Sequence, residues 1–448
     1  MKAPLFKALK LKFESPDWSR NPELGLLDSI LEARPDLIGL LKSDIVKKEK
    51  DSNFGRKDVP SVNQIVRAAI YKELKRLDYR ELEYHQVDSR ICAQFLNLDE
   101  VRPYSFQVFQ KYISRIQVDN LDKLLVELNR IAINEGLEDL ESMRQDSTVV
   151  ESDIHHPTNN ALVWDCIKES HRLLEKLKEE TENFDFKDYR KSAKRTHFKI
   201  NNTRGKDKRA DLFKKQLCLF TKCINQVANA TKKKSDYKYI GGKVIHSKLE
   251  QLYPLMRQVY RMTEKKEIQQ QKVPNDEKIF SIYEKHTDII VKGGREVLFG
   301  HKVNLTTGKS NLILTCDVLK GNPSDTSLYC ETLDKVNTAY EILPKNCVTD
   351  GGYASKDNLE YAKKQGITNV VFNKIVGSLK NEVSSLNMET RLQKWRSGVE
   401  ANISNLKRKF RLSRCTWKGW DHFRSKVLWS AIAYNIRVMT AALVAQLV

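Results

Sequence analysis

The chain has no paired cysteine register, no unbroken apolar run of membrane-spanning length and no internal period. Its eight cysteines are spread over 448 residues. A chain of this size buries enough apolar surface to need no disulfide staples, so reduced, buried thiols and a cytoplasmic location are expected. Cys218 and Cys223 lie five apart on a helical pattern without a second pair at ligand spacing, which argues against structural zinc. The opening MKAPLFKALKLKF is basic but lacks an apolar h-region, so no signal peptide is expected. The stretch VLWSAIAYNIRVMTAALVAQLV approaches spanning length, yet Asn435 and Arg437 sit at its middle, where polar and charged groups are expensive in lipid. It reads as a helix packed on a sheet, and no membrane partner is expected. The absence of a repeat of about 20 to 50 residues excludes solenoids and propellers.

Acidic residues are also in deficit. Lysine and arginine outnumber aspartate and glutamate 78 to 58, a formal charge of +20. Such self-repulsion is tolerated where an anionic partner neutralises it, which makes nucleic acid the leading partner and a generically basic protein the alternative.

The texture of the chain changes three times. After a lead-in over residues 1–57, SVNQIVRAAIYKELKRL and the segments that follow carry apolar residues at helical spacing. They predict a small all-helical domain over 58–135, of a helix-turn-helix type, with Lys111 and Arg115 on the solvent side of its third helix. Around Asp146 the residues become β-branched and predict a strand. Helical patterning then returns over 158–285, before EVLFGHKVNLTTGKSNLILTCDVLKG predicts a hairpin turning near Thr307 to Ser310. Helix, strand, helix, strand and one long helix from Met388 to Phe410 follow. The order is α/β, with a core over 136–157 and 286–448 interrupted by a helical insertion. The insertion holds the densest positive charge, including Lys191, Lys194, Arg195, Lys199, Arg204, Lys206, Lys208 and Arg209, interleaved with Tyr189, His197 and Phe198. Basic residues among aromatics and amides can neutralise phosphates and touch bases, so these eight are candidate DNA contacts.

Three acids stand where chemistry could sit. Asp350 ends a strand in VTDGGYAS, Asp146 lies on the earlier strand, and Glu400 lies on the long helix. On that helix Leu392, Trp395, Val399, Ile403, Leu406 and Phe410 form an apolar stripe, and Gln393, Arg396, Glu400 and Lys407 form a second stripe beside it. Converging carboxylates repel unless a cation lies between them, and an all-oxygen set suits Mg²⁺, with Mn²⁺ as a substitute. Two such ions can activate a water or a 3′-hydroxyl and stabilise the leaving oxygen of a phosphodiester. Gly351 and Gly352 are read as clearance that lets a DNA backbone approach.

The blocks RQDSTVVESDIHHPTNNALVWD, VTDGGYAS and WRSGVEANISNLKRKFRLSRC, in this order, resemble DDE transposases of bacterial insertion sequences, most closely the ISNCY type. The resemblance covers the chain from about residue 58 onward. It implies an RNase H-like core in which Asp146, Asp350 and Glu400 are the catalytic, metal-holding acids. Arg396 and Lys407 fit the spacing of the family's arginine and lysine contacts to DNA phosphates, whereas the family's tyrosine position is Gln393. The implied partners are double-stranded DNA, both the element's terminal inverted repeats and the target, and further copies of the chain in a dimer or higher assembly. A catalytically silent DNA-binding relative and a nuclease without strand transfer are the competing expectations. His155, His156 and Trp164 near the first block could be structural or could touch DNA.

Overall fold

The computed structural model describes residues 18, 21–46, 59–98, 103–181, 184–232, 240–292, 296–375 and 377–447. The N-terminal basic stretch, most of the lead-in and Lys233 and Lys234 lie outside these residues. Two compact units result, one of residues 1–152 with 290–448 and one of residues 153–289.

The first unit begins with eight helices: α1 (Pro22–Ala33), α2 (Pro35–Gly39), α3 (Lys42–Ile45), α4 (Val62–Lys75), α5 (Tyr79–Asp88), α6 (Arg90–Phe95), α7 (Phe106–Ile113) and α8 (Val118–Asn134). Their starts are written locally. Ser61 and Gln64 form a reciprocal capping box on α4, and Asp78 and Glu81 form one on α5, each satisfying two amides that the first turn leaves open. Every residue of α4 from Ile65 to Leu74 is buried, so this helix is a core element on all sides. Lys111 stays exposed, whereas Arg115, also expected on the solvent side, is half-buried and donates to the Ile45 carbonyl at 3.3 Å.

Strand β1 (Ser142–Ser152) leads out of these helices into a mixed sheet. The second unit follows, with α9 (Asn159–Glu180), α10 (Arg190–Asn202), α11 (Lys206–Lys232) and α12 (Ile240–Thr263) around a core that includes Leu174, Phe220 and Met256. The chain then returns through β2 (Asp288–Lys292), β3 (Glu296–Thr307), β4 (Ile313–Val318), α13 (Asp325–Tyr340), β5 (Asn346–Asp350), α14 (Lys356–Lys364), β6 (Asn369–Asn373), α15 (Leu386–Arg396), α16 (Gly398–Lys409), β7 (Arg414–Cys415) and α17 (Trp420–Leu447). The hairpin expected at Thr307 to Ser310 is β3–β4. Strands β2 and β7 were not anticipated; β7 is only two residues long, too short to carry a periodic signal.

The sheet runs β2-β3-β1-β5-β6, with β4 also on β3 and β7 also on β1. β1 is antiparallel to β3 and parallel to β5, and β5 is parallel to β6. Alternation along the strands splits the core in two. Met143, Cys347, Val370 and Phe372 pack with Tyr329, Leu333 and Val336 of α13, whereas Val348 and Val371 pack against Leu392 of α15. Val150, Val303 and Leu305 join the core shared with α4, α8 and α17. Helices α1–α8 therefore share one hydrophobic core with the sheet, and the boundary expected at residue 135 does not separate two compact units.

Helix α17 is long and apolar enough to cross a membrane by length and composition, yet two thirds of its apolar window (67 %) is buried in the protein. Asn435, near its middle, donates to Asn129 and to the Ile313 carbonyl, and accepts from the Ile313 amide, all at 2.8 Å. Those bonds explain a fully buried amide on an apolar helix.

Candidate active site

The register of β1 on β5 sets the site. Arg144 lies opposite Val348 and Gln145 opposite Thr349, so the next residues along, Asp146 and Asp350, come abreast at the carboxyl end of β5. Both belong to the same alternation as Arg144 and Val348, whose side chains meet α15. The carboxylates thus leave the sheet on the face where α15 and α16 lie.

The expected single helix is two. α15 ends at Arg396, Ser397 forms a turn, and α16 begins at Gly398. Arg144 explains the break. Its buried guanidinium donates to the Trp395 carbonyl at 2.7 Å and to Thr307 Oγ1 at 2.9 Å, and lies 4.7 Å from the centre of the Trp395 ring. A Cβ on residue 398 would fall 2.3 Å from Arg144 Nη1, so the turn requires Gly398. Burial without a carboxylate in contact lowers the Arg144 pKa to about 10.

Arg396 occupies the middle of the three acids. Its Nη2 lies 2.8 Å from Asp146 Oδ2 and 3.7 Å from Asp350 Oδ2, and its Nη1 lies 3.0 Å from Glu400 Oε1. The arginine side chain is 8 % exposed, against 47 % for Asp350 and 67 % for Glu400. Its guanidinium is therefore buried among carboxylates. Asp146 is the buried member. Burial pushes its carboxyl up to about 6, opposed by Arg396 and by the Ser147 amide and aided by the charges of Asp350 and Asp325.

The three acids supply the all-oxygen set that Mg²⁺ or Mn²⁺ takes. Among the described residues no three acids, histidines or cysteines are already spaced to hold a metal ion. The cation that the carboxylates share is the Arg396 guanidinium, whose single charge leaves two of their three negative charges unbalanced. That excess suits a divalent ion.

Lys407 lies seven residues beyond Glu400 on α16, half-buried. On the other face of β1, Asp325 accepts from Ser147 Oγ at 3.0 Å and pairs with Lys302 at 3.2 Å. This fourth carboxylate was missed because it is an ordinary residue at the start of α13, and only the fold brings it beside β1. At Gly351 the space a side chain would take is filled by the protein itself. A Cβ there would lie 2.7 Å from the Lys374 carbonyl oxygen and 2.8 Å from that of Asn373, so the glycine serves close packing of β5 on the end of β6.

Residues 245–436 match the family model described as "Transposase DDE domain". Over that span the chain carries a transposase DDE domain. The matched span holds Asp350, Arg396, Glu400 and Lys407 and starts after Asp146. No curated protein and no solved structure matches the chain.

In the second unit, α10 buries Ala193 and Ile200 and leaves Lys191, Lys194, Arg195, Phe198 and Lys199 exposed on the opposite face. Phe198 is 68 % exposed, an apolar ring among cations. Arg204, Lys206 and Lys208 are exposed beyond it, while Arg209 is half-buried and lies 5.9 Å from the Phe213 ring. Trp164 packs in the core of this unit, 6.0 Å from the His197 ring, and His155 lies 3.4 Å from Asp165.

Proposed function

We propose that the chain is a transposase that binds the terminal inverted repeats of its own element, cleaves DNA at the element ends and joins the freed 3′-hydroxyl to target DNA. The observation that carries this reading is the placement of Asp146 and Asp350 abreast, with Glu400 reaching the same guanidinium. The path β4-β3-β1-β5-β6, with β3 antiparallel to β1 and β4, supports an RNase H-like core. The three blocks quoted above support the ISNCY type.

Asp146, Asp350 and Glu400 would hold two Mg²⁺ ions, or Mn²⁺ in their place, which supply an activated water or 3′-hydroxyl and stabilise the leaving oxygen. The chain's own residues do the rest. The Ser147 and Gly351 amides fix the rotation of the two aspartates, and Arg396 compensates their charge until the ions enter. The exposed basic face of α10, with Phe198 at its centre, suits a phosphate backbone with a base against the ring. The helices of the first unit and Lys407 complete the grip on the ends. Processing two ends together calls for two or more copies of the chain.

The test is strand cleavage and joining on duplexes carrying the DNA that flanks the gene, where short inverted repeats are expected. Asp350→Ala should keep duplex binding and lose Mg²⁺-dependent cleavage by more than the roughly 10–100-fold typical of losing an outer-shell partner. Cleavage that persists unchanged in Asp350→Ala would sink the metal-site reading. A wild-type protein that binds without cutting would be a silent relative, and one that cuts without joining a nuclease.

A further inference from the structure

A cavity of about 570 Å³ opens beside the C-terminal end of α16, walled by Lys72 to Tyr79 and by parts of Phe410 to Lys426. Six lysines and arginines line it against two carboxylates, those of Glu73 and Asp78. At its base Lys72 Nζ lies 2.9 Å from Glu73 Oε1, and Lys426 Nζ bonds the other oxygen of the same carboxylate. All three residues are at least nine-tenths buried: Lys72 is 5 % exposed, Glu73 3 % and Lys426 9 %. One carboxylate thus serves two ammonium groups, and burial pushes the Lys72 ammonium below the usual lysine range, opposed by Glu73 and more weakly by Asp78, so an anion entering the cavity would favour its charged form.

The surroundings offset this only in part. Lys72 Nζ lies 4.8 Å from the centre of the Tyr79 ring and 5.1 Å from that of Trp417, and the two rings are tilted 30° apart with centroids 6.2 Å apart. Such faces attract a cation, though less strongly than an anion does. The second carboxylate, Asp78, accepts the Glu81 amide as the cap of α5 and adds only a weaker attraction for Lys72. At the mouth, Arg76, Arg411 and Lys418 are exposed and have no ion-pair partner among the described residues. Arg414 is already paired, 2.9 Å from Glu151 of β1.

We propose that this cavity is an anion site that receives a phosphate of a bound DNA strand, with the neighbouring base against Tyr79 and Trp417. Two buried ammonium groups on one carboxylate beside aromatic faces, under a rim of free cations, fit a nucleotide of a polyanion better than they fit an acidic peptide. Its placement also fits. Arg414 ties the cavity wall to Glu151, five residues along β1 from Asp146, or about 16 Å at a strand's rise per residue. That is roughly five base steps of duplex. The inference rests on DNA being the substrate, but not on the carboxylates cutting it.

The experiment compares wild type with Lys72→Met, which removes one of the two ammonium groups and leaves the Glu73–Lys426 pair whole. Affinity for a fluorescein-labelled 30-bp duplex (about three turns) is measured by polarisation across a salt series. Lys72→Met should weaken binding about 5-fold at low salt and reduce the salt slope by about one. A double variant at the exposed rim, Arg76→Ser with Lys418→Ser, should do the same without touching the core. Unchanged affinity and slope in both variants would overturn the site. If inorganic phosphate raises Tm of wild type but not of Lys72→Met and never competes with the duplex, the cavity takes free phosphate and the DNA assignment fails. Loss of duplex binding in Lys72→Met with cleavage retained in Asp350→Ala would uphold the cavity and sink the catalytic reading, so the two failures are distinguishable.

Discussion

Asp146 and Asp350 are held in the same way, although they are 204 positions apart in the chain. Each accepts at its Oδ1 the amide N–H of the next residue, Ser147 or Gly351, at 2.7 Å. Each turns its Oδ2 toward Arg396 Nη2. Asp350 thus caps the turn that follows it with one oxygen and faces the shared cation with the other. The amide bonds fix the rotation of both carboxylates, so the oxygens aimed at the shared cation are preorganised.

Removing that cation has a definite outcome. Arg396→Ala should lower stability by about 1–3 kcal/mol, less than the roughly 3–5 kcal/mol for breaking a fully buried pair, because Asp350 and Glu400 remain partly in water. Mn²⁺ should then raise Tm more in the variant than in wild type, since the ion no longer competes with a guanidinium. Equal Mn²⁺ shifts in the two proteins would show that Arg396 and the metal do not share the site.

The raised carboxyl of Asp146 predicts a pH dependence opposite to that of an ordinary aspartate. Its folded value of about 6 lies above the unfolded 3.8, so the native state binds this proton more tightly. Ionised Asp146 therefore destabilises the fold above pH 6, by about 3 kcal/mol at roughly 1.4 kcal/mol per unit. The penalty is relieved as pH falls from about 6 toward 3.8. Denaturation of wild type and Asp146→Asn across pH 4 to 8 checks this: the stability advantage of the variant should grow between pH 4 and 6 and level off above 7. A gap that shrinks as pH rises would contradict the assignment.

Gly351→Ala should destabilise by about 1–3 kcal/mol through overpacking, because the new methyl meets two carbonyl oxygens of the β6 end that cannot rotate away. Chemical denaturation measures this directly. A variant as stable as wild type but defective in cleavage would support the reading of Gly351 as clearance for DNA.

Arg144 should behave as a positioning residue. Arg144→Met leaves the Trp395 carbonyl and Thr307 Oγ1 without this donor and should cost about 2–4 kcal/mol. It should also loosen the turn between Arg396 and Glu400, weakening Mn²⁺ binding measured by calorimetry while duplex affinity stays near wild type. Unchanged Mn²⁺ affinity would confine Arg144 to stability.

Much of this was legible in the residues themselves. Charge excess named a polyanion, β-branched runs and glycines located β1, the β3–β4 hairpin and β5, and the helical stripe set Arg396 and Glu400 on one edge. These signals are local, or depend on periods of two and 3.6 residues that survive in one dimension. The division of the long helix at Ser397 was not legible, because its cause, Arg144, lies on a strand some 250 residues earlier. Nor was the fusion of α1–α8 with the sheet through α17, since apolar stripes show what is buried but not against what.

Composition, the order of elements and the identity of the three acids are properties of the linear chain. They follow from residue type and short-range spacing. The parallel register that brings Asp146 abreast of Asp350, the guanidinium between them and the two ammonium groups buried beside Glu73 come from folding. Each depends on contacts between distant segments, and a shift of one residue on β1 would turn Asp146 to the other face of the sheet.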